Sequence, residues 1–137
     1  MLCGCTNEMR AKNTATKNAF ISLFSFAQNA FMIRLSEITA KEIIPGFEAK
    51  FIHTPSMTLS YWDVKKGSVL PNHKHVHEQV TQVEEGEFEL TVGGETKVYT
   101  KGMIAVIPSW VEHSGVALTD CKIFDVFSPV REDYKAL

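Results

Sequence analysis

Three of the chain's five histidines, His73, His75 and His77, fall within a stretch of five residues. Alternate side chains of an extended strand point to the same side, so these imidazoles and the amide of Gln79 are predicted to share one face. Imidazoles packed together inside a protein lose hydration, whereas a divalent cation can bind all of them. The spacing therefore predicts a metal site, with a solvated edge strand as the alternative.

A second segment can bring a further imidazole to the same place. Residues 102–108 form a short apolar run that ends in proline and leads through a turn to His113. As a barrel strand, this run would bring His113 to the barrel mouth beside the first histidines. Three imidazoles and one oxygen donor would make an open site for one borderline divalent ion. Nickel, zinc, manganese and iron all remain open as that ion.

The sequence around these residues predicts an all-β domain. From Ser60 onward, short apolar runs alternate with turn signals about every ten residues, a pattern typical of a β-sandwich or barrel. The glycine pair at positions 93–94 separates two such runs and predicts a tight hairpin. We expect one antiparallel β-barrel over residues 32–137.

The length and composition of the chain indicate one globular domain and argue against nucleic acid as a partner. The 137 residues are 45% hydrophobic, and 14 Lys and Arg against 16 Asp and Glu give a net charge of -2. Because there is no basic excess to neutralise phosphates, nucleic acid is not expected as a partner. Three cysteines, two of them two positions apart, do not suit a secreted disulfide framework. A cytoplasmic location is therefore expected.

Residues 1–31 differ in composition from the rest of the chain. Three basic residues precede a mostly apolar stretch at 19–27, which resembles the regions of a signal peptide. A signal peptide over residues 1–27 would make the protein periplasmic. The alternatives are a helix that docks on the domain and an upstream extension before a functional chain that begins near Met32. The apolar stretch is too short to span a bilayer, so no membrane partner is expected.

The two histidine segments resemble the cupin superfamily of small double-stranded β-helix barrels. The first cupin motif contains a glycine, two histidines, an acidic residue and a second glycine. The matching residues here are Gly67, His73, His75, Gln79 and Gly86. Glutamine in place of the acidic residue removes one negative charge and leaves the metal a stronger electrophile for an anionic substrate. The 2-His-1-carboxylate site of non-haem iron oxygenases is not expected, although redox chemistry is not excluded.

The second cupin motif is matched by Gly102, Pro108 and His113. Trp110 occupies the family's glycine position, and Ala117 occupies its asparagine position. The resemblance implies an all-β fold with a single cupin double-stranded β-helix, a jelly-roll-like barrel. It also implies four metal ligands, which are His73, His75, Gln79 and His113.

The C-terminal segment, residues 123–134, is similar to the ending of the pectin degradation protein group, small cupins that linearise unsaturated uronates. The similarity extends from about Met32 through this segment. In that group an aspartate, a phenylalanine and an arginine line the pocket, and they match Asp125, Phe127 and Arg131. Asp125 and Arg131 are therefore candidate catalytic residues, and Phe127 and Arg131 are candidate substrate contacts.

The resemblance implies a metal-dependent isomerase of carbohydrate catabolism. Its substrate would be the 4,5-unsaturated uronate that pectin or alginate lyases leave, and its product would be the open-chain 5-keto form. Asp125 would remove the proton of the anomeric hydroxyl and return it to C4. Arg131 would hold the substrate carboxylate, and Phe127 would pack on the sugar.

Two other functions stay open at this point. A non-catalytic cupin that senses a sugar acid would lack a proton-transfer group beside the metal, so Asp125 distinguishes it. An iron-dependent dioxygenase would consume oxygen. His77 and Trp110 are further candidates for substrate contact, with a structural histidine and a plug of the barrel end as the respective alternatives.

The expected partners are a small sugar acid and a second copy of the chain. Small cupins commonly pair their barrels, which suggests a homodimer. The apolar side chains of Phe20, Phe24 and Phe31 would gain from burial in such an assembly.

Overall fold

The computed structural model describes residues 32–137 of the chain. This part contains ten β-strands, one turn of 3-10 helix at Leu35–Glu37 and one short α-helix, α1, at Glu132–Lys135. No helix within residues 32–137 is long and apolar enough to cross a membrane. The leader suggested for residues 1–31, together with the phenylalanines in it, lies outside the described residues. The division of the chain at residue 32 therefore stays a prediction.

The strands pair with antiparallel neighbours and form two sheets. Their bounds, in chain order, are β1 Lys41–Ile44, β2 Phe47–His53, β3 Thr58–Val64, β4 Val69–His73, β5 Glu78–Glu85, β6 Glu87–Val92, β7 Glu95–Thr100, β8 Ile104–Ile107, β9 His113–Ala117 and β10 Cys121–Ser128. One sheet has six strands in the order β1-β2-β3-β10-β5-β8, and the other has four in the order β4-β9-β6-β7. The all-β prediction is confirmed.

One core receives buried side chains from both sheets. The six-stranded sheet contributes Trp62, Val83 and Ile123, and the four-stranded sheet contributes Phe88 and Leu90. Each large apolar side chain buried in this way stabilises the fold by about 1.5 to 3 kcal/mol. The shared core fixes the two sheets against each other, which the site requires because its residues come from both.

The hairpin predicted at Gly93 and Gly94 is confirmed. β6 and β7 pair as far as Val92 and Glu95, so the two glycines alone form the loop. Their φ angles are 56° and 87°, in the left-handed region that a two-residue type I′ turn requires. Glycine adopts these angles without a steric penalty because it has no Cβ atom.

The prediction of a continuous strand through the histidine segment is wrong. β4 ends at His73 and β5 begins at Glu78, so residues 74–77 form a loop from the four-stranded sheet to the six-stranded one. The backbone N–H of Trp110 donates to the His75 carbonyl at 2.8 Å, which ties this loop to the turn before β9. The histidines are therefore arranged by a change of sheet and not by alternation along one strand.

Candidate functional site

Three imidazoles come together at one end of the barrel, from two strands and a loop. His73 at the end of β4 lies opposite His113 at the start of β9, and His75 lies in the loop after β4. Their candidate ligand nitrogens lie within 4.8 Å of one another. The ring centroids are 4.2 Å apart for His73 and His113 and 5.0 Å apart for His75 and His113. This spacing suits three ligands of a single ion.

Each of these imidazoles is oriented by a backbone carbonyl two residues away in sequence. Nδ1 lies 2.8 Å from the carbonyl oxygen in His73, 3.0 Å in His75 and 2.9 Å in His113. A carbonyl oxygen only accepts hydrogen bonds, so Nδ1 is the donor and Nε2 of the neutral ring keeps its lone pair. Metal-binding histidines are held in the same way, by a hydrogen bond from the nitrogen that does not bind the ion.

Burial keeps two of the imidazoles neutral. It lowers the pKa of His75 to about 4, and the positive charge of Arg131 and the neighbouring His113 act in the same direction. Burial also lowers the pKa of His113 below its ordinary value. Both rings therefore offer an unprotonated Nε2 at neutral pH.

Gln79 supplies an oxygen beside these nitrogens. Its Nε2 donates to the Thr81 hydroxyl at 2.8 Å, which turns Oε1 toward Nε2 of His75 at 3.2 Å. Two acceptor atoms then face each other, because the neutral His75 ring already uses its only N–H on Nδ1. Nε2 of His113 is buried and has no hydrogen-bond partner within residues 32–137. One divalent cation among these atoms would satisfy all of them, so the donor set fits a metal ion.

The carboxyl of Asp125 lies next to this donor set. Phe127 of β10 pairs with Gln79 of β5, and Asp125 pairs with Thr81. Asp125 is therefore two residue pairs further along the sheet and on the same face as Gln79. Burial raises the pKa of Asp125 to about 6, although the side chains of Thr81, Gln79 and Trp62 act in the opposite direction. Oδ1 of Asp125 has no hydrogen-bond partner in the described part of the chain. This carboxyl can therefore bind or release a proton near neutral pH.

Arg131 is buried beside these groups and is held by two residues that follow it in sequence. Its Nε and Nη2 donate to the carboxylate of Asp133 at 2.9 and 2.6 Å. The guanidinium carbon lies 3.8 Å from the ring centroid of Tyr134 and 5.0 Å from that of Phe127. Asp133 occupies one side of the guanidinium, so the Nη1 end remains for another anion.

Most of these groups, although not His75, line one cavity of about 270 Å³. Its polar lining includes His73, Gln79, Thr81, His113, Asp125 and Arg131. Much of the remaining lining is apolar and includes Trp62, Phe88 and Phe127. A ligand in this cavity would meet metal donors, a titratable carboxyl and a fixed cation together. The arrangement suits metal-assisted proton transfer on a small anionic molecule.

Known proteins are similar to this chain in sequence and in fold. Residues 60–127 match the family model described as "Cupin domain". The solved structure of KdgF from Halomonas sp. is 32% identical to this chain and superposes with a TM-score of 0.71 over 77% of this chain and 98% of that chain. The chain belongs to the cupin family. The resemblance inferred from the motifs is thereby confirmed, and the protein is a small cupin similar to KdgF.

Two further relatives differ in how much of their length this cupin matches. The pectin degradation protein KdgF of Dickeya dadantii is 32% identical over 71 residues, which are 50% of this chain and 64% of that protein. The match therefore covers less than two thirds of that relative. A salicylate 1,2-dioxygenase from Pseudoaminobacter salicylatoxidans, solved with gentisate, is 26% identical with a TM-score of 0.61 over 64% of this chain and 26% of that chain.

Trp110 and His77 do not line the cavity of this cupin. Trp110 stands at the family's glycine position with a φ of 65°, a left-handed value, and the turn leaves it 62% exposed. His77 is buried, and its Nε2 lies 3.3 Å from the carbonyl oxygen of Val130. The predicted substrate contacts of Trp110 and His77 therefore stay predictions, since the turn leaves Trp110 at the surface and His77 packs against Val130.

Three residues of the site were not predicted from the sequence: Thr81, Asp133 and Tyr134. Strand alternation could have indicated Thr81, because it lies two residues after Gln79. The acidic residue two positions after Arg131 could have indicated a local ion pair. The sequence carries no signal for the stacking of Tyr134 on the guanidinium, because the fold of the C-terminal segment sets that contact.

Proposed function

We propose that this cupin opens the ring of 4,5-unsaturated uronates with one divalent metal ion and releases the open-chain 5-keto form. The main support is the buried carboxyl of Asp125, which lines the same cavity as His113 and Arg131. The similarity to two proteins named KdgF, one of them called a pectin degradation protein, supports pectin breakdown as the source of the substrate.

The three imidazoles and Gln79 would hold the metal ion, which as a Lewis acid would stabilise negative charge on substrate oxygens. An imidazole or an amide that binds a metal ion is uncharged, so the ion would keep its positive charge toward an anionic substrate. The protein's own contribution is to orient the donors in advance. The Nδ1 hydrogen bonds of the histidines and the bond from Gln79 to Thr81 do this.

Asp125 would move the proton. Its carboxylate accepts the proton of the C1 hydroxyl while the bond between C1 and the ring oxygen breaks, and C1 becomes an aldehyde. The electron pair of that bond stays on the former ring oxygen, which forms an enolate with the C4–C5 double bond. Asp125 then gives the proton to C4, and a ketone remains at C5. A pKa of about 6 suits a group that accepts and donates within one cycle.

Arg131 would bind the carboxylate of the substrate. Its guanidinium lines the cavity, whereas Asp133, which pairs with it, has a side chain that is 59% exposed and is absent from the cavity lining. Because Asp133 uses Nε and Nη2, it fixes the plane of the guanidinium and leaves the Nη1 end for the substrate. Asp133 is thus a positioning residue in this proposal.

The test is the ketonisation of unsaturated uronate made with a lyase, followed by the loss of ultraviolet absorbance of its conjugated double bond. Metal-loaded protein should accelerate this loss over the spontaneous rate at the same pH. A chelator should return the rate to the spontaneous one, and added metal should restore it. A metal-loaded protein that is no faster than buffer would contradict the proposal.

A second candidate function is oxygen-dependent cleavage of an aromatic acid. It is favoured by the similarity to the salicylate 1,2-dioxygenase and by the aromatic side chains of Trp62, Phe88 and Phe127 in the cavity lining. Protein loaded with ferrous iron should then consume oxygen when salicylate or gentisate is added. Oxygen uptake without uronate turnover would replace the first proposal by this one.

A further inference from the structure

One peptide group beside the site is held by side chains on both of its sides. It joins Val130 to Arg131, between the end of β10 and the start of α1. Its carbonyl oxygen lies 3.3 Å from Nε2 of His77, and its N–H donates to the hydroxyl of Thr58 at 3.0 Å. All four residues are buried. We call these two hydrogen bonds the peptide clamp.

Arg131 lies between two regular elements, so its backbone has to be held by other means. β10 ends at Ser128 and α1 begins at Glu132. A rotation of the peptide group before Arg131 would change the direction in which its side chain leaves the backbone. Buried peptide groups in such links need hydrogen-bond partners from elsewhere. Here both partners are side chains from distant parts of the chain, and together they fix the plane of the group.

Thr58 holds the N–H side of this group. It is the first residue of β3 and pairs with Phe127 of β10 and with His53 of β2. Its hydroxyl also lies 2.9 Å from Nδ1 of His53. A hydroxyl has one proton and two lone pairs, so it can accept from Arg131 and bond to His53 at the same time. Removal of this buried hydroxyl would leave the Arg131 N–H without a partner, which costs free energy.

His77 connects the carbonyl side of the peptide clamp with the candidate metal donors. Its own backbone carbonyl accepts from Nδ1 of His75 at 3.0 Å, while its ring bonds to the Val130 carbonyl. A carbonyl oxygen only accepts, so Nε2 of His77 is the donor. His77 therefore orients one imidazole of the candidate metal site with its backbone and holds the segment of Arg131 with its side chain.

The guanidinium needs a fixed position as well as a fixed orientation. Asp133 and Tyr134 contact it directly, but both follow Arg131 in the same segment and would move with it. The peptide clamp attaches this segment to β3 and to the loop at 74–77. A ligand that binds a metal ion through one oxygen and Arg131 through its carboxylate requires a constant distance between the two. A displacement of about 1 Å can cost about 100-fold in rate.

We propose that Thr58 and His77 are positioning residues, which hold Arg131 at a fixed distance from the metal donors through the peptide clamp. The inference rests on the proposed function, in which Arg131 binds the carboxylate of a uronate. His77 then acts through Arg131 and not by contact with the substrate.

Calorimetric binding of galacturonate and of its uncharged methyl ester to the metal-loaded full chain tests the proposal. The parent should bind the acid more tightly than the ester. Thr58→Val and His77→Leu remove one hydrogen bond each with little change in size, so each should weaken binding of the acid about tenfold and leave binding of the ester unchanged. Thr58→Ser and His77→Gln keep a hydroxyl and an N–H donor and should restore the affinity for the acid.

Three further measurements separate positioning from damage to the fold. Thr91→Val removes a hydroxyl that bonds to Thr96 on the four-stranded sheet, and this control should keep the parent's preference for the acid. His77→Leu should keep one bound metal ion. In the ketonisation assay, Thr58→Val and His77→Leu should raise KM for the unsaturated uronate and change kcat little.

Several results would overturn the proposal. They are equal weakening of acid and ester, loss of the metal from His77→Leu, and failure of both Thr58→Ser and His77→Gln to restore binding. A parent that binds acid and ester equally would overturn it together with the role of Arg131. A parent that prefers the acid but does not ketonise the unsaturated uronate would overturn only the proposed reaction, and the binding comparison would still decide the role of the clamp.

Discussion

The two sheets of this cupin use their inward faces differently. At the centre of the six-stranded sheet, the inward row contains Ser60, Asp125 and Thr81. The inward residues of the four-stranded sheet include Phe88 and Leu90, which are 3% exposed and belong to the core. The first sheet therefore places polar groups where apolar burial would stabilise the fold, and the second retains that burial.

This difference indicates how a small barrel can hold both a core and a candidate reaction site. Burial of a polar group without a complete set of hydrogen bonds costs free energy, and Ser60 Oγ and Asp125 Oδ1 both lack partners within the described part. The four-stranded sheet and the apolar end of the six-stranded sheet must offset this cost. A substitution that removes the buried charge from this polar row should therefore lower turnover and raise the free energy of unfolding.

The largest effect should come from loss of the proposed metal ion, because its candidate donors come from both sheets. A variant with both His75→Ala and His113→Ala should bind no stoichiometric metal and should lose all metal-dependent acceleration. Added metal should raise the melting temperature of the parent, since it binds only the folded state, and should leave that of the variant unchanged. Metal analysis by mass spectrometry checks this. Full metal content in the variant would place the ion elsewhere.

The next largest effect should follow Asp125→Asn. This change keeps the shape of the side chain but removes the proton acceptor, so turnover of unsaturated uronate should fall by about 10² to 10⁴. Metal content and substrate affinity should stay near those of the parent. Asp63→Asn, on the exposed side of β3, is the matched control and should keep full turnover. An Asp125→Asn variant as fast as the parent would refute the role of this carboxyl.

The same variant should be more stable than the parent in a pH-dependent way when both are free of metal. Burial raises the pKa of Asp125 from 3.8 to about 6, so the folded protein keeps a proton that the unfolded chain releases. The parent therefore loses stability as the pH rises from about 4 to 6 and stays less stable above it. Asp125→Asn should remove this loss, which is about 3 kcal/mol. Urea unfolding at pH 4 and pH 8 measures the difference, and an equal difference at both pH values would contradict it.

A smaller effect should follow loss of the residue that positions Arg131. Asp133→Ala frees the guanidinium to adopt other orientations, so KM for the uronate should rise about tenfold while kcat changes little. The uncharged methyl ester of the uronate should bind the parent and the variant equally well, because it has no carboxylate for Arg131 to bind. Glu132→Ala is the control, since Glu132 pairs with Lys135 and not with Arg131. Equal loss of affinity for acid and ester would indicate general damage to the cavity.

The smallest effect should come from the turn that joins the two sheets near the site. Trp110 has a φ of 65°, a conformation that glycine adopts more readily than a residue with a side chain. Trp110→Gly should therefore raise the free energy of unfolding by about 0.5 kcal/mol, because little of the exposed ring is lost from packing. Thermal unfolding detects such a change. A clear loss of stability would show that the indole ring makes a stabilising contact.

Much of the architecture followed from local patterns. The glycine pair at 93–94 allows few conformations other than a tight turn, and alternation within β10 puts Asp125 and Phe127 on one face whatever the rest of the chain does. The candidate metal donors could be predicted because residues of their types at that spacing match a known motif. The turn and the strand face depend only on neighbouring residues. The candidate metal donors are recognised because the motif is already known to bring such residues together in the folded state.

Other features depended on contacts between distant parts of the chain. Alternation predicts side-chain direction only inside a strand, and His75 lies in a loop. The path of that loop depends on the turn before β9, because the Trp110 N–H of that turn donates to the His75 carbonyl. A similar long-range contact places His77 against the carbonyl oxygen of Val130. The stacking of Tyr134 on Arg131 likewise requires the C-terminal segment to fold back on the sheet. Residue type and spacing can thus predict which residues are candidate donors. The direction of their side chains in a loop depends on the distant backbone groups to which the loop binds.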